Sequence, residues 1–589
     1  MQKSRKIYSL LLPLIAALTM LQGCQLMQFP GEISTPDYTF ETDPDGIRSA
    51  FNDGEVYRYP EIMPMLSVSG SHYEMGLQYG VLLRPEILDS LENYSRLLKF
   101  FAQDEGIPFP LFTAFVKIKA IQISLKLPAR FRDEIRGIAA GSGVPYDSIL
   151  AISMFYDVLE AVGCTGILLK GQDNTVIHGR NQDWFALEEL GDLSVVVEHN
   201  AEGYNSFTHI DWLLGLGVET GYNDEGLAFS EETVSVNKPN ANGFSFVYLS
   251  RIALEECSNL DQVKQVFDRY SVIGGYGTVW SDRDEGLAMV LEASPSGWVT
   301  HLMEDTILWN FNHYYDESLA DEHQPVWKSL SAPDWDREYI AAGFPRKDFY
   351  TVEDAVDFMR SQTAPDGNDY SWYGSTNPVC NDSGWQMIVF DPGCDGFYYA
   401  WGHSFAARRD CYRFHQDFTI QPEICLDGIP IDPMVEETAR VYNSLLSDDE
   451  MLDAYKDLSE KYPDDANLRF WVAYRSFARF NLSENYSYAV DSYAMKPEVP
   501  EYGLYAGMAW YGQNDPAAAA DVLEAIDTSL FTPLQEIYRL AVLERSYTAL
   551  GSPVKSLLYR LQYEWILMNY DAQEYFAESI LPKIDALDH

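Results

Sequence analysis

Residues 163–184, GCTGILLKGQDNTVIHGRNQDW, allow few local folds. An apolar run (Ile167, Leu168, Leu169) leads into Gly171, Gln172, Asp173 and Asn174, and a second β-favouring run (Thr175, Val176, Ile177) follows. Two such runs about a turn predict a β-hairpin. Folded at Gln172 and Asp173, the hairpin sets Asn181 about opposite Cys164, with Arg180 and Asp183 flanking it. A thiol, a guanidinium and a carboxylate then share one strand end. Sequence leaves the register open, because a one-residue slip exchanges whether Arg180 or Asn181 shares the face of Cys164.

The run Gly163-Cys164-Thr165, followed by Gly179-Arg180-Asn181-Gln182-Asp183-Trp184 with Arg180 sixteen and Asp183 nineteen residues past the cysteine, resembles the N-terminal nucleophile hydrolases of the acyl-CoA:6-aminopenicillanic acid acyltransferase family. It is more distantly similar to choloylglycine hydrolases and penicillin V acylases. Ser71, Tyr73, Glu74, Gly76, Gln78 and Gly80 form a second similar piece, as do the stretches 138–150 and 221–228. The resemblance covers residues 64–410 and implies an α/β fold: an αββα sandwich of two antiparallel sheets between helical layers, preceded by a helical pro-segment.

It also implies a chemistry. The chain would cut itself between Gly163 and Cys164, and the freed α-amine of Cys164 would take the proton of its own thiol. Asp183 would hold that amine, and Arg180 would stabilise the thiolate. Asn312, in Trp309-Asn310-Phe311-Asn312-His313-Tyr314, would supply an oxyanion-hole N–H, with a backbone N–H near Thr233 as second donor. Arg337 corresponds in type to a further arginine of the family, although its surroundings depart from the pattern. No cofactor and no metal are expected. No distant histidine is needed, and His178, inside a strand pattern, reads as structural.

Charge and targeting signals bound the rest. A net charge of -48 argues against nucleic acid as a partner. Lys3, Arg5 and Lys6 precede an apolar run shorter than a membrane span, and Leu21-Gln22-Gly23-Cys24 resembles a bacterial lipobox. This predicts a signal peptide over 1–23, lipidation of Cys24, and a lipid-anchored protein of the cell envelope, with Gln25 favouring the outer membrane. The Pro- and Asp-rich stretch 24–63 reads as an extended tether. Of the remaining cysteines, Cys380 with Cys394 or Cys411 with Cys425 could pair, and buried free thiols are the alternative.

The order of segments completes the expectation. Residues 64–163 form the helical pro-segment, which stays associated after cleavage because its apolar faces would otherwise be exposed. Residues 164–430 form the catalytic domain, with helices at 246–256 and 261–270 and strands at 278–281 and 287–292. Residues 431–589 form an all-α domain resembling degenerate tetratricopeptide-type (TPR-like) helix pairs, which either offer a surface to a protein partner or cap the core. The expected activity is hydrolysis of linear amides of N-acylated small molecules or peptides. Acyl transfer to an amine is the second expectation, and a catalytically inactive, lipid-anchored scaffold the third.

Overall fold

The computed structural model describes residues 24–154, 163–240, 242–320, 335–362, 379–391, 393, 396–479, 482, 485–529, 531–569 and 573–588. The expected signal peptide and Cys394 lie outside the described residues. The chain falls into two compact units, one comprising Met1–His323, Pro345–Arg360 and Ser383–Pro430, the other Gln324–Phe344, Ser361–Asp382 and Ile431–His589.

Eighteen strands are described in the first unit. In chain order they are β1 (Glu41–Thr42), β2 (Arg48–Phe51), β3 (Gly54–Tyr57), β4 (Met65–Gly70), β5 (Gly163–Lys170) and β6 (Val176–Asp183). Next come β7 (Ser194–Ala201), β8 (Phe207–Trp212), β9 (Thr220–Asn223), β10 (Leu227–Val234), β11 (Gly275–Asp282) and β12 (Leu287–Ser294). The last are β13 (Gly297–Leu302), β14 (Ile307–Asn310), β15 (Gly384–Phe390), β16 (Gly396–Trp401), β17 (Cys411–His415) and β18 (Glu423–Leu426). One sheet has eleven strands in the order β1-β2-β3-β4-β7-β8-β9-β10-β11-β12-β13, and the other seven in the order β14-β5-β6-β15-β16-β17-β18.

The described strand pairings are antiparallel except β4 with β7. The sheets face each other: Leu168 and Val176 of one pack with Val279, Ala288 and Val290 of the other. Farther along, Val196, Ile210 and Ala228 meet Ile388, Phe397, Tyr399 and Phe414. Burial on both faces explains the near-continuous apolar text of β5, buried at every position but Lys170.

Five helices lie between β4 and β5 among the described residues: α1 (His72–Leu82), α2 (Arg84–Asp104), α3 (Phe109–Ser124), α4 (Ala129–Ser142) and α5 (Tyr146–Ser153). After β10 come α6 (Phe246–Glu256) and α7 (Leu260–Arg269), and later α8 (Val352–Met359). Helix α1 contacts β3 and β4 and helix α6 contacts β9, whereas α8 lies on β6 and β15, so each sheet has a helical covering. Ser71 and Glu74 form the capping box that starts α1, and Asn259 caps α7 by accepting from the Gln262 N–H at 3.0 Å.

The signature glycines are packing residues. A Cβ on Gly76 or Gly80 would collide with the backbone of Glu134 or Ile138, and one on Gly137 or Gly141 with that of Tyr73 or Leu77. Helices α1 and α4 therefore touch backbone to backbone, which only residues without a side chain permit.

Two expectations are corrected. Residues 24–63 are not an extended tether: Leu26 is buried, the Gln28 carbonyl accepts from Lys117 Nζ at 2.7 Å, the Pro30 carbonyl accepts from Ser148 Oγ at 2.6 Å, and β2 and β3 extend the larger sheet. Short Pro- and Asp-rich text concealed a hairpin in which Val56 and Tyr57 are buried. The β5–β6 hairpin also turns one residue later than predicted. A 3-10 turn over Gln172–Asn174, with Asp173 and Asn174 at φ 54° and 62°, sets Gln182 opposite Cys164 and Asn181 opposite Thr165.

The second unit, among its described residues, is helical. From Asp448–Lys461 through Ala466–Ala478, Tyr486–Met495, Pro500–Gly512, Pro516–Ala525 and Pro533–Ala549 to Pro553–Asn569, each helix packs on the next. Phe470, Tyr502, Tyr505, Leu523, Ile537 and Tyr538 form its core. Arg337 is buried on the helix Trp335–Gly343 of this unit.

Because α1 and α4 meet at their backbones, Gly76→Val should destabilise the first unit by about 3 kcal/mol or more, the upper range for overpacking. Gly297→Ala, where a Cβ meets nothing within 4 Å, should be near neutral. Urea unfolding of the two variants checks the contrast.

Candidate active site

The site is built at the open end of the β5–β6 hairpin. Facing residues of paired strands project to the same side, so Cys164 and Gln182 share a face with Gly166 and Arg180. This settles the register question in favour of Arg180. Asn181 points the other way, donating through Nδ2 to the Met359 carbonyl at 2.9 Å. Gly166, opposite Arg180, must lack a side chain: a Cβ there would lie 2.5 Å from Glu232 Oε1 and 2.7 Å from Val279 Cγ2.

Cys164 is 1% exposed. Its sulfur receives Arg180 Nη2 at 3.3 Å, and its backbone N–H donates to Asn312 Oδ1 at 2.7 Å. The ladder from β14 stops at Asn310 opposite Gly166, and Asn312 just beyond reaches back to the nitrogen of Cys164. Asn312 Nδ2 in turn donates to the Thr233 carbonyl at 2.8 Å. Thr233 thus enters the site through its oxygen, which fixes the orientation of the Asn312 amide. Asp183, 2% exposed, sits opposite Gly163 in the hairpin and opposite Gly384 of β15.

Arg180 is the centre of the arrangement. Its Nη1 donates to Gln182 Oε1 at 2.9 Å, to the Glu219 carbonyl at 3.1 Å and to Thr220 Oγ1. Its Nη2 donates to the Glu231 carbonyl at 2.6 Å and lies 3.8 Å from Glu219 Oε2 and 3.6 Å from Glu231 Oε2. Burial opposes its charge, but Cys164, Glu219, Glu231 and Glu232 hold its pKa above the ordinary arginine value.

Burial likewise pushes the Cys164 thiol well up. Arg180 pulls it down, while Glu231, Asp183 and Glu219 push it further up. These opposing influences leave the balance on the side of the protonated thiol. Burial also raises Glu219 well above the carboxylate range, Glu231 adding to the rise and Arg180 opposing it. Glu231 is raised by burial too, against Arg180 and the hydroxyl of Thr233.

The structure brings Cys164, Arg180, Asn312 and the carbonyl of Thr233 together, with Gly163 and Asp183 at the same strand ends. Cys24 begins a separate 3-10 turn, Cys24–Met27, before the hairpin of β2 and β3. His178 takes no part: it is fully buried between Ser230 Oγ (2.9 Å) and Ser281 Oγ (3.3 Å), and burial lowers its pKa to about 3. Sequence reasoning missed Glu219 and Glu231. The detectable signal was the acidic doublet Glu231-Glu232 inside the apolar run of β10, where a strand buried on both faces has no reason to carry charge unless it serves a partner.

Comparison with known proteins finds likenesses over part of the chain. Residues 169–332 match the family model described as acyl-coenzyme A:6-aminopenicillanic acid acyl-transferase. An N-acylethanolamine-hydrolyzing acid amidase of Caenorhabditis elegans is 28% identical over 207 residues, covering 33% of this chain and 55% of the relative. Acid ceramidase of Rattus norvegicus is 25% identical over 182 residues, covering 25% and 45%. The chain thus spans about half the length of the curated relatives it matches.

Among solved structures, the Caenorhabditis elegans N-acylethanolamine-hydrolyzing acid amidase ortholog aligns at 17% identity with a TM-score of 0.29, covering 39% of this chain and 93% of its own. A mutant conjugated bile acid hydrolase from Clostridium perfringens aligns at 12% identity and a TM-score of 0.26, covering 46% and 99%. The likeness to the acyl-coenzyme A:6-aminopenicillanic acid acyl-transferase family thus covers residues 169–332.

The raised carboxyls give a signed pH dependence. A Glu whose native pKa lies above its unfolded value contributes stability below the unfolded value, near pH ~4.3, and loses it as pH rises through the native value. Glu219→Gln removes that loss, so the variant should gain stability relative to the unaltered chain at pH 8 compared with pH 4.5, read from urea midpoints at both.

Proposed function

We propose that the protein is an autoprocessed cysteine amidohydrolase that cleaves linear amide bonds of N-acylated small molecules or peptides through an acyl-thioester on Cys164. One observation carries this reading: the nitrogen of Cys164 is held by Asn312 while its sulfur rests on a fully buried Arg180. The relatives' names support an acylated amide as substrate, since one hydrolyses N-acylethanolamines and another is a ceramidase.

In the processing step the Cys164 thiol attacks the Gly163 carbonyl and the Gly163–Cys164 C–N bond breaks. The amide nitrogen leaves as the α-amine of Cys164, and water cleaves the resulting thioester to a carboxylate and the free thiol. In turnover the α-amine takes the thiol proton, the thiolate attacks the substrate acyl carbon, and the same nitrogen returns the proton to the leaving amine. Water, deprotonated by the α-amine, then releases the acid.

Within this scheme Arg180 stabilises the sulfur charge that burial otherwise disfavours. Asn312 Oδ1 aims the nitrogen at the sulfur, and Asp183 is the carboxylate assigned to the α-amine. To act as an oxyanion donor Asn312 must leave the Thr233 carbonyl, so in the unprocessed chain its part is to hold the nitrogen of Cys164.

The two fragments stay together in this reading. Glu134, upstream of the cut, bonds Arg251 downstream of it (2.5 Å), and His72 Nε2 lies 3.2 Å from Glu255 Oε1. The lipobox-like Leu21-Gln22-Gly23-Cys24 supports a lipid-anchored position in the bacterial envelope. The second helical unit, TPR-like in its sequence pattern, either offers a surface to a protein partner or serves as a cap. The description of the matched family favours acyl transfer as the second reading, and product analysis with and without an added amine separates the two.

On denaturing gels the mature protein should run as two pieces that meet at Gly163 and Cys164, and Cys164→Ala as one inactive chain. Normal processing in Cys164→Ala would refute the mechanism. Arg180→Lys, which loses the planar fork, should lower kcat by about 100-fold or more, the scale of one misaligned electrostatic donor, in an assay of N-acyl amide hydrolysis by mass spectrometry.

A further inference from the structure

The outer edge of the seven-stranded sheet brings two cysteines together away from the candidate active site. Strand β17 opens with Cys411, opposite Leu426 of β18, whereas the next residue, Tyr412, is opposite Ile424. One residue of β18, Cys425, is therefore extra. Such a bulge removes the strict alternation of faces and lets Cys425 turn towards Cys411 instead of away from it. Its sulfur lies 3.1 Å from the Cys411 carbonyl oxygen.

We propose that Cys411 and Cys425 form a disulfide that staples the β17–β18 hairpin. The two thiols differ in the way such a reaction needs. Cys425 is exposed and Cys411 is buried, so an oxidant meets Cys425 first. The neighbouring Cys411 thiol lowers the pKa of Cys425 against the effect of burial, with Arg413 contributing in the lowering direction. The same contact, together with burial, raises Cys411. Cys425 is thus the attacking thiolate and Cys411 the resolving thiol.

The oxidant is a disulfide, either a low-molecular-weight one or that of a dithiol oxidase. The Cys425 thiolate attacks one of its sulfurs, its S–S bond breaks, and one thiolate leaves. Cys411 gives its proton to that thiolate and attacks the Cys425 sulfur, expelling the second thiol. Two protein thiols are oxidised and one disulfide is reduced to two thiols. The bond closes the loop 411–425 and pins an edge strand, the part of a sheet most open to fraying and to pairing with other chains.

The test equilibrates the folded, full-length protein with glutathione disulfide, traps thiols with N-ethylmaleimide, and maps peptides by mass spectrometry before and after reduction. The expected result is a peptide pair linked through Cys411 and Cys425 that takes up the reagent only after reduction. In the oxidised form the amides of 423–426 should exchange hydrogen more slowly. Cys425→Ser, a change at an exposed site, should abolish the link, leave Cys411 unmodified, and leave amide hydrolysis unchanged. Full alkylation of both cysteines after equilibration would overturn the proposal. So would Cys425 remaining as a stable mixed disulfide with glutathione, or a link from either residue to Cys257 or Cys380.

Discussion

A guanidinium removed from water dictates how the two sheets meet. Arg180 is 1% exposed, and an isolated charge at such a place would cost many kcal/mol. It is tolerated because strands of both sheets turn polar groups inward around it: carbonyls of Glu219 and Glu231, the hydroxyl of Thr220, the amide of Gln182 and two carboxylates. One position on that shell belongs to a sulfur. The network that keeps Arg180 folded inside is the same one that gives Cys164 its only cationic neighbour among the causes acting on its thiol.

The surrounding carboxylates oppose this gain. Glu231, Asp183 and Glu219 raise the thiol that Arg180 lowers, so charge separation at Cys164 depends on how many of these acids carry protons. Burial already biases Glu219 and Glu231 towards the neutral form. The environment thus favours a neutral sulfur, and Asn312 holds the adjacent nitrogen. Stability and reactivity are coupled here through one cluster, since changes to any acid move both.

Much of this was legible in the sequence because its signals are local. The hairpin of β5 and β6 follows from two apolar runs and a turn, and the spacing of Cys164, Arg180 and Asp183 needs no tertiary information. Asn312 was reachable through resemblance, since its contact with Cys164 spans 148 residues. What escaped was set by packing. The extra residue in the turn at Gln172–Asn174 depends on left-handed backbone at two non-glycine positions, a conformation that composition does not announce. The β2–β3 hairpin escaped because only its seat on the larger sheet makes a short polar stretch ordered. Glu219 and Glu231 escaped because a buried acid gains its meaning from a cation elsewhere in the chain.

The placement of Cys164 in its strand has a further consequence. Newly made chain ends usually fray, since the first residues of a segment have lost the covalent restraint on one side. Here residues 163–165 are laddered to β6, while the neighbouring strand stops at the level of Gly166. A scission ahead of the sulfur would leave a stub clamped along β6, with Asn312 still holding the nitrogen of Cys164. The amine of Cys164 would then keep its position beside the sulfur without a loop to order.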